Sequence, residues 1–166
     1  MTITLIGMPG AGKTCMGKAL SRKLNMKVID GDKLIEQRTG KKLHEIITDV
    51  GLEGFKKIEE ETLLSINEDN IIISPGGSAV YYESVMEHFK KMGIVLYIYV
   101  SPKVLIDRLG DFSKRGIVLK EGQTINDLFA ERTPLMEKYA DIKINCNGSA
   151  YSYYQREAIE KIKKYM

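Results

Sequence analysis

Gly7-Met8-Pro9-Gly10-Ala11-Gly12-Lys13-Thr14 follows the apolar run Ile3-Thr4-Leu5-Ile6 and leads into a helical pattern. The stretch matches G-x-x-x-x-G-K-[ST] in the strand-to-helix setting that gives the motif its meaning. Its glycines let backbone N–H groups close around phosphate oxygens, and the helix start adds the positive end of its dipole. The Lys13 ammonium can reach β- and γ-phosphates, and the Thr14 hydroxyl can ligate Mg²⁺. The stretch therefore predicts a site for a nucleoside triphosphate and Mg²⁺, built by Gly10, Ala11, Gly12, Lys13, Thr14 and Cys15.

Outward from the loop, Met16, Ala19, Leu20 and Leu24 recur at helical spacing, which predicts a helix over 13–24. A short strand is expected over 27–30, and a helix opening at Leu34 and Ile35 closes at Gly40. Two helices, about 42–50 and 53–66, are separated near Gly51. Ile71-Ile72-Ile73-Ser74 is a continuous apolar run of the kind buried on both faces, and Pro75-Gly76-Gly77 ends it. Helix is expected over 82–92, strand over 94–100, and helix from Pro102 through Arg108. Helix 125–139, strand 142–146 and helix 151–165 complete the chain, Tyr151, Tyr153 and Tyr154 marking a partly buried face of the last helix. The stretch 110–122 has no periodicity and carries Lys114, Arg115 and Lys120. Alternating strands and helices predict one α/β domain over 1–166 with a central, mostly parallel five-stranded sheet covered on both faces.

Composition narrows the function classes. The 166 residues are 43% hydrophobic and 28% charged, ordinary for a globular domain with a real core. A net charge of only +3 points to neither nucleic acid nor an anionic membrane. No apolar run approaches the ~20 residues of a membrane span, and no charged-then-apolar leader precedes the first strand, so a cytoplasmic protein is expected. Cys15 and Cys146 are too few for a disulfide framework. Cys15, in the first helical turn after the loop, is expected to be a small buried filler. His44 and His88 lack a second ligand at metal-site spacing and are expected on helix surfaces.

In parallel sheets ligands bind beyond the carboxyl ends of the strands. That rule gathers the phosphate loop, Asp30-Gly31-Asp32 and Pro75-Gly76-Gly77-Ser78 at one site, with the basic stretch at about 110–124 placed to close over it as a lid. If the chain stays extended through Asp30 and Asp32, the two carboxylates at i and i+2 point the same way. One carboxylate near Mg²⁺ and one near an attacking hydroxyl is a sensible division for phosphoryl transfer.

Four segments in this order resemble the shikimate kinase family. They are the phosphate loop, 30–40 (Asp30-Gly31-Asp32 through Gly40), Gly51-Leu52-Glu53-Gly54-Phe55, and 131–141 (Glu131-Arg132-Thr133-Pro134 onward). The resemblance implies a three-layer P-loop kinase with a mobile lid and with substrate-binding helices at about 31–66. It implies transfer of the γ-phosphate of ATP to a hydroxyl of shikimate, a small carboxylated polyol, by a monomer. Asp30 would face the metal through water, and Asp32 would orient the acceptor hydroxyl or serve as its base. Arg132 and Lys56 would hold the acceptor carboxylate, Gly76 and Gly77 would let it approach the backbone, Arg115 would neutralise charge on the transferring phosphoryl group, and Arg108 would cover the adenine.

Three positions depart from the family pattern: Lys56 where arginine is usual, Ser78 where a third glycine is usual, and Gly116 where proline is usual. All lie on the acceptor or lid side. Two rivals follow: a kinase of another hydroxy or sugar acid such as gluconate, and a nucleotide-binding module without kinase activity. A nucleoside-monophosphate kinase would want a second guanidinium cluster, which the sequence does not offer.

Overall fold

A computed structural model describes residues 1–110 and 122–166. Its five strands are β1 (Thr2–Ile6), β2 (Lys27–Asp30), β3 (Ile71–Ser74), β4 (Gly93–Tyr99) and β5 (Ile142–Asn145). They form one sheet in the order β2-β3-β1-β4-β5, and every neighbouring pair is parallel. All five residues of β1 are buried, as are Ile71, Ile72 and Ile73 of β3. A strand buried at every position needs cover on both faces, which explains why these runs do not alternate with polar residues.

The helices are α1 (Lys13–Leu24), α2 (Gly31–Thr39), α3 (Leu43–Leu64), α4 (Glu83–Met92), α5 (Pro102–Leu109), α6 (Ile125–Tyr139) and α7 (Tyr151–Lys163). α1 and α7 pack together, α3 packs on α4, and α6 on the 3₁₀ turn Ala79–Tyr81 that follows β3. One apolar cluster runs through the sheet from Leu5, Ile72 and Leu96 to Phe89, Met136 and Ile162.

Local chemistry sets the element ends. Gly40 takes a left-handed φ of 69° and closes α2, its N–H donating to Glu36 O. Pro102 stands at the first turn of α5, where its missing N–H costs nothing. Thr124 and Asp127 form a reciprocal capping box at the start of α6. The expected break near Gly51 is present: Gly51 has φ 75° and ψ 174°, which bends α3 into two helical pieces.

Three expectations change. The chain does not stay extended through Asp32, because α2 begins at Gly31 and Asp30 is its N-cap, accepting from the Lys33 N–H at 3.1 Å. Asn and Asp carboxamides and carboxylates satisfy the first free N–H groups of a helix, so a strand-end Asp turns the chain into helix at once. Cys15 is exposed while Cys146 is the buried cysteine; as the third residue of α1, Cys15 sits on the solvent side of the first turn, away from Met16 and Gly17. His88 is part-buried, its Nε2 2.7 Å from Ile66 O, because α4 packs that face against the end of α3; His44 is exposed as expected. The basic segment, including Lys114, Arg115, Gly116 and Lys120, lies outside the described residues except for its two ends.

Candidate active site

The phosphate loop follows β1, the middle strand of the sheet, and its glycines are there for space. A side-chain carbon on Gly7 would stand 2.7 Å from Ile98 O on β4, and one on Gly10 would stand 2.7 Å from Leu109 Cδ2. Gly12, the N-cap of α1, has φ 102°, a conformation that favours glycine. These close approaches hold the loop against β4 and α5 at the start of α1, where free helix N–H groups favour an anion. Lys13 folds back over this loop, its Nζ donating to Gly7 O at 2.7 Å and to Met8 O at 2.9 Å. Burial lowers the Lys13 pKa to about 8, the Arg132 charge pushes it further in the same direction, and Asp32 opposes. An ammonium held this way loses little by exchanging two carbonyls for phosphate oxygens.

Across the cleft, α2 brings Asp32 into its first turn. Gly31 makes this possible: a side-chain carbon there would stand 3.1 Å from both Leu63 Cδ2 and Pro75 Cα. Burial raises the Asp32 pKa to about 6, and Asp30, Glu59 and Glu36 add to the rise while Lys13 opposes it. Gly76 and Gly77 lie between the charged groups. A side-chain carbon on Gly76 would stand 2.9 Å from Asp32 Oδ1 and 3.5 Å from Glu59 Oε2, and one on Gly77 would stand 2.5 Å from Arg132 Nη1. Arg132 comes from α6, its guanidinium carbon 5.4 Å from the centre of the Tyr81 ring and its Nε donating to Tyr81 OH at 3.3 Å. Lys13, Gly76, Gly77, Val80 and Met136 line one cleft, and Asp32 and Arg132 stand beside its Gly76 and Gly77 wall.

On the other side of the α1 N-terminus a second hollow is lined by Gly12, Cys15, Cys146, Tyr151 and Gln155. Arg108 closes its edge. Its Nη1 donates to Gly10 O at 3.5 Å, its Nη2 to Cys146 O at 2.7 Å and Gly148 O at 3.0 Å, and its guanidinium carbon lies 5.8 Å from the Tyr151 ring centre. Tyr154 is part-buried while Tyr151 and Tyr153 are exposed, so only part of the expected tyrosine face is covered.

Lys56 stands apart from this gathering: it is exposed on α3 and pairs with exposed Glu53 at 3.3 Å. Thr14 is exposed at the start of α1. The hard oxygen donors Thr14, Asp30 and Asp32 suit Mg²⁺, which keeps several waters and takes few protein ligands. Among the described residues no three His, Cys, Asp or Glu side chains gather as a metal cage. Glu59, absent from the sequence expectations, is only 2% exposed. Its one sequence signal is a helical face shared with Thr62 and Leu63, both buried.

A glycine-rich loop at a helix start with a lysine ammonium folded over it, opposed by a carboxylate and a guanidinium across a glycine-walled cleft, is the equipment of a P-loop small-molecule kinase. The fold and the site define that class. A family model described as shikimate kinase matches residues 9–164. The shikimate kinase of Bacillus anthracis (strain CDC 684 / NRRL 3495) is 35% identical over 162 residues, covering 97% of this chain and 98% of the relative. That of Sulfurihydrogenibium sp. (strain YO3AOP1) is 34% identical, with 98% of each chain covered. The solved shikimate kinase from Acinetobacter baumannii in complex with shikimate superposes with a TM-score of 0.85 at 28% identity, over 98% of this chain and 93% of that one. The Aquifex aeolicus enzyme gives 0.85 at 29%, over 98% and 96%. The chain belongs to the shikimate kinase family.

Proposed function

We propose that this chain transfers the γ-phosphate of ATP to a hydroxyl of shikimate, giving shikimate 3-phosphate. The observation that carries the reading is the convergence of Lys13, Asp32 and Arg132 on one cleft walled by Gly76 and Gly77. Family membership and the Acinetobacter baumannii relative, whose structure holds shikimate, support the choice of acceptor.

Each residue has a task that follows from its chemistry. The loop amides of Gly10, Ala11, Gly12, Lys13, Thr14 and Cys15 bind the phosphates, and Arg108 covers the adenine. Thr14, with Asp30 through water, would hold Mg²⁺, which supplies positive charge to the phosphate oxygens when bound. Lys13 leaves the Gly7 and Met8 carbonyls for the β- and γ-phosphates. Asp32, with its pKa near 6, is ionised at neutral pH yet basic enough to accept the proton of the attacking hydroxyl. Arg132 presents a planar fork to the acceptor carboxylate, and Lys56 offers a second, unforked positive charge. Gly76 and Gly77 admit the acceptor to the backbone. Arg115 neutralises charge on the transferring phosphoryl group. Catalysis is then positioning plus electrostatics, with no covalent intermediate on the protein. The unit of action in this reading is a single domain working as a monomer in the cytoplasm.

The deciding experiment measures ADP release from purified protein with ATP and Mg²⁺, in separate reactions with shikimate, with gluconate and with no acceptor. Shikimate-dependent release is expected. Release with gluconate alone would assign another acceptor, and ATP binding without release in any reaction would leave a nucleotide-binding module. Light scattering at a dimer's mass would overturn the monomer.

A further inference from the structure

Glu59 is a buried carboxylate that, among the described residues, accepts hydrogen bonds from two hydroxyls. Ser78 Oγ and Tyr82 OH both donate to its Oε1, each at 2.7 Å. No cation pairs with it among the described residues; Lys56, one turn earlier on α3, faces Glu53 instead. Burying an ionised carboxylate is costly unless donors hold it, and two hydroxyls on one oxygen are a strong local arrangement. The same arrangement is oriented. With Oε1 fixed by both donors, Oε2 is turned the other way, toward Gly76, on whose face Asp32 Oδ1 also stands. Tyr82 feels the charge: burial and then Glu59 push its phenol well above its ordinary pKa, so it remains a donor throughout the working pH range.

The 78–82 segment is suited to this task. Ser78 is half-buried and precedes the 3₁₀ turn Ala79–Tyr81, and the Ala79 N–H donates to Gly76 O at 3.0 Å. The turn ties Ser78 and Tyr82 to the glycines that wall the cleft, so whatever orients Glu59 also moves with that wall. The serine that departs from the family's usual third glycine does not project its hydroxyl into the cleft; it spends that hydroxyl on Glu59.

We infer that Ser78 and Tyr82 are positioning residues for acceptor binding. Through Glu59 they hold a second carboxylate oxygen beside Asp32, so that the cleft grips an acceptor with neighbouring hydroxyls at two points rather than one. This inference rests on the phosphoryl-transfer reading above.

The test is steady-state kinetics on the full chain with ATP, Mg²⁺ and shikimate, comparing wild type with Ser78→Ala, Tyr82→Phe and Ser78→Thr. A hydrogen bond to a charged group is worth upward of about tenfold in binding, and part of that reaches the acceptor through Glu59. Ser78→Ala and Tyr82→Phe should each raise KM for shikimate about five- to tenfold, with kcat changed less and KM for ATP within about twofold. Ser78→Thr keeps the hydroxyl and should stay near wild type. Melting curves identify any variant that has lost its fold, and the other substitution then reports on the same oxygen. Unchanged KM for shikimate in the folded variants overturns the inference alone. Equal rises in the two KM values, or a Ser78→Thr defect matching Ser78→Ala, also overturn it, since a purely structural contact would behave so. A wild-type protein inactive on shikimate removes the underlying reading and the inference with it.

Discussion

Gly76→Ala separates the cost to the fold from the cost to the site. Gly76 does not have a positive φ, so alanine fits its backbone, and removing a glycine stiffens the unfolded chain by ~0.4–1 kcal/mol in favour of the fold. The new methyl would stand 2.9 Å from Asp32 Oδ1, roughly half an ångström inside an ordinary carbon–oxygen contact of about 3.4 Å. A short side chain yields more readily than a packed backbone, so Asp32 swings aside. A displacement of about 1 Å in a positioning group costs on the order of 10²-fold in rate, ~2.7 kcal/mol of transition-state stabilisation. The expected result is a protein with an unchanged or slightly raised Tm whose kcat/KM for shikimate falls ~10²-fold while KM for ATP holds. Coupled ADP-release kinetics and a thermal melt measure both. Activity within about threefold of wild type at an unchanged Tm would refute the placement of Asp32 beside Gly76.

Four further outcomes follow from the charged side chains. The Asp32 pKa of about 6 places the acidic limb of kcat/KM for shikimate near that pH, with activity falling as pH drops below it; a profile flat down to pH 5 would remove Asp32 from the reaction. Because its folded pKa lies above the ordinary 3.8, the folded state binds the extra proton between about 4 and 6, so Asp32 lends stability below pH 4 that is lost as pH rises through 6. Asp32→Asn should therefore be nearly inactive at pH 7 yet more resistant to denaturant by ~1–2 kcal/mol after allowance for solvent screening; a less stable variant contradicts the sign. Lys13→Ala should lose at least ~10²-fold in kcat with the Tm little changed, since its partners are carbonyls of its own loop, and normal turnover would contradict the assignment. Lys56→Arg should lower KM for shikimate, because the exposed Glu53 pair holds the side chain only weakly and a guanidinium adds the fork; an unchanged value takes residue 56 out of the site.

Local pattern was enough for the frame of this protein. The apolar runs at Ile71-Ile72-Ile73 and in β1 announced strands covered on both faces, and Gly40, Gly51 and Pro102 marked element ends, because each acts through the backbone of its own neighbourhood. The phosphate loop was legible for the same reason: its function resides in consecutive main-chain amides, and the spacing of its glycines is the function. The resemblance carried Asp32 and Arg132 to the acceptor side.

Other features depend on which residues meet across long separations. Glu59 reads as one acid in the run Glu59-Glu60-Glu61 until α3 turns it inward against hydroxyls from residues 78 and 82. Asp30 reads as an extended strand end until its capping bond starts α2 and swings Asp32 into the cleft. The Asp32 pKa depends on burial and on nearby charges. Asp30 and Glu36 are its neighbours along the chain, while Lys13 reaches it only through the sheet order β2-β3-β1 and Glu59 only through the packing of α3 on α2. Amide geometry and hydrophobic periodicity are properties of neighbours along the chain, so the sequence alone determines them. Desolvation and through-space charge are properties of neighbours in space, and only the folded chain decides those.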